Sequence, residues 1–122
     1  MKRLPRGELE AQVMNLLWAT EAWMTPGEVH KEITSPRRPL AYTTVTTILV
    51  RLWAKGMLER EQSGRAFAYR PVVSRDEWAA QRMQEILEAS GDRRVTLNHF
   101  VDSISAREAT QLRKVLDERK KR

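Results

Sequence analysis

The spacing of apolar positions predicts the elements of this chain in order. Leu9, Val13, Leu16 and Leu17 fall at i, i+4, i+7 and i+8, one face of a helix expected over residues 8–19. Trp18 and Trp23 follow near its end, placed to cap a core. Thr25-Pro26-Gly27-Glu28 then reads as a helix start. Thr25 supplies the N-cap, Pro26 suits the first turn, and Glu28 completes a capping box, with Met24 and Val29 at hydrophobic-staple positions. This second helix must stop before Ser35-Pro36, because a proline disfavours helical geometry in the residue before it. A third helix is expected over 42–55, with Gly56 ending it. The β-branched run Thr43–Ile48 opposes a helix by propensity. Val45, Ile48, Leu49 and Leu52 nevertheless share one face, and burying that face outweighs a few tenths of a kcal/mol per residue (~) of poor propensity.

After the third helix the pattern changes. Residues 58–62 and 66–70 read as two strands of a hairpin around Ser63-Gly64-Arg65. A two-residue loop at Gly64-Arg65 would set Glu59 opposite Arg70 and Arg60 opposite Tyr69, and the opposite charges of the first pair favour that register. Pro71 ends the second strand. Ser74-Arg75-Asp76-Glu77 is another capping box, with Val73 and Trp78 as its staple, opening a helix that reaches about Ala89. Ser90-Gly91-Asp92 breaks it. Leu97, Phe100, Val101 and Ile104 form a short helical pattern, and Ser105 to Glu108 starts a last helix with Leu112, Val115 and Leu116 on one stripe. The expected class is mainly α with one hairpin (α+β). Three helices followed by a hairpin is the layout of a winged helix-turn-helix, here over residues 1–73, with a helical region over 74–122.

Composition narrows the chemistry. The chain has 122 residues, no cysteine and a net charge of +6. Without cysteine there is no disulfide framework, thiol nucleophile or Cys-ligated metal site. No apolar run approaches the length of a membrane span, and no apolar segment follows the basic Met1–Arg6 start, so the expectation is a cytoplasmic protein with no membrane insertion. The core is small for the chain, and a second protomer would help to bury the remainder. Residues 1–73 hold the larger positive excess, and between Lys31 and Arg51 the single acid is Glu32. The basic tail Arg119–Arg122 reads as a solvated end.

The outward face of the third helix decides what such a fold is for. Opposite the apolar stripe lie Thr43, Thr46, Thr47, Val50, Arg51 and Ala54, with Thr44 at the boundary. An ordinary solvated face mixes Glu with Lys; this one carries hydroxyls, one Arg, small apolar groups and no acid. Threonine bonds phosphates or base edges, and its methyl can touch a thymine methyl. In the DNA-binding version of this fold the third helix enters the major groove and the hairpin lies along the backbone. Tyr42, just before the helix, either reaches a phosphate or closes the core as a lid. Arg65 at the hairpin tip either contacts the DNA or is simply solvated. Thr25 could bring backbone N–H groups to a phosphate, though capping is its plainer role.

The quoted residues resemble a known family. Gly7-Glu8-Leu9-Glu10, the run Ala41 to Leu49 with Arg51-Leu52, Lys55-Gly56, and Phe67-Ala68-Tyr69-Arg70-Pro71 are similar to the penicillinase repressors, a family that includes methicillin-resistance and copper-transport repressors. The likeness is close over residues 7–73 and loose beyond. It implies a homodimeric repressor that binds palindromic double-stranded DNA operators. Thr43, Thr44, Thr46, Thr47 and Arg51 match its recognition helix, and Arg65 matches its wing tip. It also implies dimerisation through interlocking C-terminal helices, here by Trp78, Met83, Ile86, Leu87, Leu97, Phe100, Val101, Leu112, Val115 and Leu116. Copper-responsive members carry a C-terminal cysteine motif, which is absent. In β-lactam-responsive members a membrane sensor-protease pathway leads to cleavage at an Asn-Phe bond. Here His99 separates Asn98 from Phe100, so the pattern is broken, and Phe100 is as readily a core residue.

Rival readings find less support. His30 and His99 lie on different elements, with no triad or carboxylate pair legible around them, so no catalytic residue and no cofactor is expected. His99 and Asp102 have a metal-compatible spacing but are too few for a site. The five glycines are isolated breakers, not a phosphate loop. A protein-interaction winged helix is the main alternative, disfavoured because the third helix shows neither acids nor large exposed apolar groups apart from Val50. A nonspecific nucleic-acid module stays open. A single-stranded RNA reader would display stacking aromatics; the Trp residues sit at core-like positions, leaving Phe67 and Tyr69 as the candidates.

Overall fold

The structure, a computed structural model, describes residues 6–122. Its elements are α1 (Arg6–Thr20), α2 (Pro26–Ile33), α3 (Tyr42–Ala54), β1 (Leu58–Ser63), β2 (Ala66–Pro71), α4 (Arg75–Ala89), α5 (Arg93–Ser103) and α6 (Ala106–Lys120). Helix α3 forms despite its β-branched run because Val45, Leu49 and Leu52 are fully buried and Ile48 nearly so. They meet Val13, Met14 and Leu17 of α1 and Val29 of α2 in one apolar cluster.

Local signals start and stop the helices where their side chains dictate. In α2 the Thr25 N–H donates to Glu28 Oε1 at 3.0 Å, and the Glu28 N–H donates back to Thr25 Oγ1 at 3.3 Å. Ser74 with Glu77, and Ser105 with Glu108, repeat this exchange at α4 and α6. The donated backbone and side-chain hydrogen bonds favour the charged carboxylate and hold all three glutamates below their ordinary pKa. Asp92 caps α5 by accepting from the N–H groups of Arg94 and Val95. Gly56 leaves α3 at φ 81°, the left-handed geometry that a glycine adopts without strain.

The two strands pair antiparallel, with Glu59 opposite Arg70 and Arg60 opposite Tyr69, the register expected from the sequence. Gly64 takes φ 63° at the first loop position, as a two-residue hairpin loop with glycine first requires. The hairpin is tied to the helices at its base. Tyr69, 2% exposed, exchanges two backbone hydrogen bonds with Met24, of 3.0 and 2.8 Å. Glu59 and Arg70 form an ion pair, and the Arg70 guanidinium lies 4.4 Å from the centre of the Trp23 ring. Glu10 is buried, and its carboxylate stands 3.8 Å from Lys55 Nζ, joining α1 to the end of α3. A carboxylate so buried needs such a partner.

The chain divides into two compact units, one reaching to Ala79 and the other Ala80–Arg122. The boundary read from the sequence falls earlier, at 73/74. The first turn of α4 stays with the winged unit because Trp78 packs edge-on against Trp18 at 5.8 Å. Trp18 Nε1 also donates to the Val73 carbonyl at 3.0 Å, and Arg75 lies over the Trp18 ring and bonds Asn15. Trp78, grouped by sequence with the dimerisation stripe, is thus part of the first unit's packing. In the second unit no residue is fully buried.

Candidate nucleic-acid interface

Helix α3 is two-sided. Its inner stripe is sealed against α1 and α2, so its outer face is held as a rigid surface. On that face Thr43, Thr47, Val50 and Ala54 are exposed, and Thr44, Thr46 and Arg51 are half-buried. The Thr46 hydroxyl donates to the Tyr42 carbonyl at 3.1 Å. Its hydrogen is therefore engaged within the helix, and its lone pairs and methyl remain for an outside partner. Tyr42 is 49% exposed and sits edge-on to His30, ring centres 5.9 Å apart. The ring is therefore half covered, with its remaining surface open.

The N-terminus of α3 suits an anion. Its N-cap, Ala41, makes no side-chain capping bond, and its first turn holds no acid. The connector before it is a fixed turn rather than a loose loop. Ser35 and Arg38 exchange backbone hydrogen bonds of 3.2 and 3.0 Å, and Ser35 Oγ accepts from the Arg38 N–H at 3.1 Å. Thr34 Oγ1 accepts from the Leu40 N–H at 3.0 Å, and His30 Nε2 stands 2.6 Å from the Leu40 carbonyl. This turn leaves Arg37 and Arg38 exposed in the connector that leads into α3. At the hairpin tip Arg65 is exposed, and Gln62 Nε2 braces the turn by donating to the Gly64 carbonyl at 2.9 Å. The structure thus places Tyr42, Thr43, Thr44, Thr46, Thr47 and Arg51 together on or beside α3, with Arg65 at the wing tip.

Sequence reading missed one cluster. The Arg60 guanidinium lies 3.5 Å from the centre of the Trp53 ring and 4.0 Å from that of Phe67. Trp53 is 39% exposed and Phe67 is 37% exposed, so Trp53 is not the core residue its neighbourhood suggested. Tyr69 is closed in the core, and Arg60 lies over one face of Phe67, which stays exposed. A signal was present: Trp53 lies just off the stripe of Val45, Ile48, Leu49 and Leu52, and strand alternation puts Arg60 on the side of Leu58.

In the second unit the expected dimerisation residues lie at the surface. Met83, Ile86, Leu97, Phe100, Val101, Val115 and Leu116 are exposed, and Leu87 and Leu112 are half-buried. Asn98, His99 and Phe100 are exposed within the body of α5. Among the described residues, no helix is long and apolar enough to cross a membrane.

A sequence model of the penicillinase repressors matches residues 6–118. The chain belongs to the penicillinase repressor family. It is 44% identical over 122 residues to the transcriptional regulator BlaI of Mycobacterium tuberculosis, a match covering 97% of this chain and 88% of that protein. It is 31% identical over 129 residues to the penicillinase repressor of Bacillus licheniformis, covering all of this chain and 98% of that one. The solution structure of the DNA binding domain of the repressor BlaI aligns with a TM-score of 0.50 at 32% identity, over 63% of this chain and 93% of that domain. The fold is accordingly that of the BlaI winged helix, as the helix and hairpin order implied.

Proposed function

We propose that this chain, a transcriptional repressor of the BlaI type, binds palindromic operators as a homodimer, with α3 in the major groove and the β1–β2 hairpin along the backbone. The observation that carries the reading is the outer face of α3: threonines and Arg51 on a helix whose opposite side is wholly committed to the core. Thr43, Thr44 and Thr47 serve as short donors, acceptors and methyl contacts, Thr46 as an acceptor and methyl contact, and Arg51 as the long-range base or phosphate contact. Tyr42 and Arg65 flank them on the backbone. Arg37 and Arg38 add phosphate-directed charge in the connector that leads into α3.

Dimerisation is supported by the second unit's apolar stripes, which gain burial only against another surface. A patch of this kind on helices without a core of their own marks an interaction surface, and a second copy supplies a matching set. Relief of repression by cleavage near Asn98–Phe100, through a membrane sensor-protease system, would require α5 to open first. Its backbone there is helical, and proteolysis of such a segment tracks the population of the locally opened state.

The test is selection of genomic fragments by the purified full chain at two salt concentrations, followed by sequencing. The expected result is an enriched palindrome, its half-sites spaced by about one or more helical turns, with affinity falling steeply as salt rises. Salt-sensitive binding without any enriched sequence would overturn the operator reading and leave a nonspecific nucleic-acid module.

A further inference from the structure

We propose that Arg60 is a positioning residue for the wing, clamping the hairpin to the end of α3 so that Arg65 and the α3 face meet DNA at a fixed separation; this rests on the DNA-binding reading above. Strand alternation puts Leu58 and Arg60 of β1 on the same side as Phe67 and Tyr69 of β2. Near the base of the hairpin this side is apolar and sealed, with Leu58 and Tyr69 in the core. At the next pair on this side Arg60 stands opposite Tyr69, and an arginine occupies β1 where the pattern would otherwise carry an apolar residue.

The arginine replaces burial with stacking. Its guanidinium lies against the Trp53 ring at 3.5 Å and the Phe67 ring at 4.0 Å, so one planar cation joins the last turn of α3 to β2. Arg is suited to this because its flat, weakly hydrated cation can stack on aromatic faces, whereas a lysine ammonium is a compact, strongly hydrated charge. The two rings adjoin the proposed DNA contacts. Trp53 follows Arg51 by two positions, and Phe67 follows Arg65 by two. A two-stranded hairpin is marginal alone, so a tie beyond the core sets how far the tip swings relative to α3. With its ring-stacking surface engaged inside the protein, Arg60 acts on DNA through the wing.

Two measurements on the full chain test this. Amide hydrogen exchange of residues 63–67 should quicken about five- to thirtyfold in Arg60→Met, as loss of two exposed cation–π contacts implies, while α1 and α3 core amides keep their protection. Arg60→Lys should recover part of it. Operator affinity is then measured in Arg60→Met, Arg65→Ala and the double variant. The expected result is non-additivity, the Arg60 change costing little once Arg65 is gone. Unchanged tip exchange would overturn the clamp. Additive losses would overturn the positioning role and make Arg60 an independent contact. If the wild-type chain selects no operator while tip exchange responds as expected, the DNA-binding reading falls, the wing's DNA role falls with it, and the clamp alone stands.

Discussion

Leu49 and Thr47 are two residues apart on α3 and should respond oppositely to the same truncation. Leu49 is fully buried among the residues that join α1, α2 and α3. Leu49→Ala removes its apolar area and leaves a cavity, a change that costs about 2–5 kcal/mol. A domain of this size holds roughly 4–11 kcal/mol in total, so the variant should lose a large fraction of its stability and more than about 10 °C in Tm. Thr47 is exposed on the outer face. Thr47→Ala there replaces a poor helix former by the best one and should stabilise α3 by about 0.5 kcal/mol. Its cost should appear in DNA binding instead, as one lost hydrogen bond of about 0.5–1.5 kcal/mol, or roughly two- to tenfold in affinity. Urea melts followed by circular dichroism, and fluorescence anisotropy with the selected operator, read the two quantities separately. At low temperature, where Leu49→Ala is folded, its affinity per folded molecule should match wild type. If Thr47→Ala destabilises the fold by more than about 1 kcal/mol, or Leu49→Ala melts like wild type, the assignment of inner and outer faces is refuted. If Thr47→Ala binds the operator unchanged, Thr47 is not a DNA contact.

Arg51→Ala should weaken operator binding by about 1–3 kcal/mol with little effect on random DNA if Arg51 reads a base; equal weakening on both would make it a phosphate contact, and no change would remove it from the site. Ile86→Lys combined with Leu116→Lys should convert a dimer into a monomer at micromolar concentration in sedimentation and weaken operator binding sharply. A wild-type chain already monomeric under those conditions would refute the dimer. Glu28, Glu77 and Glu108 have pKa values lowered by their capping bonds, so their contribution is present above the ordinary carboxylate pKa and is lost as pH falls through the depressed folded values. Acid titration by circular dichroism should show less helix loss on acidification when all three are Gln, because glutamine retains a cap without titrating; an identical acid profile in that variant would refute the assignment.

The legible parts of this protein were those carried by local chemistry. Three Ser/Thr-x-x-Glu boxes marked helix starts because N-cap and glutamate are three residues apart and bond within one turn. The α3 stripe was legible because a period of 3.6 needs only the order of residues. The hairpin register followed from its two-residue loop and the Glu59–Arg70 pair. The composition of the outer α3 face already pointed to nucleic acid.

Tertiary structure decided what depends on residues distant along the chain. Sequence reads Trp78 as a helix staple and as part of a C-terminal stripe, and its packing on Trp18, 60 positions earlier, is visible only in three dimensions. Glu10 looks like any polar residue of an amphipathic helix until Lys55 is found beside it. The Met24–Tyr69 backbone pairing joins segments that no local pattern relates. Trp53, Arg60 and Phe67 come from three elements, and their stacking depends on how the hairpin leans on α3. Short-range hydrogen bonds and periodicity are written in residue order, whereas an ion pair, a buried tryptophan or a cation between two rings exists only once the chain has brought distant residues together in space.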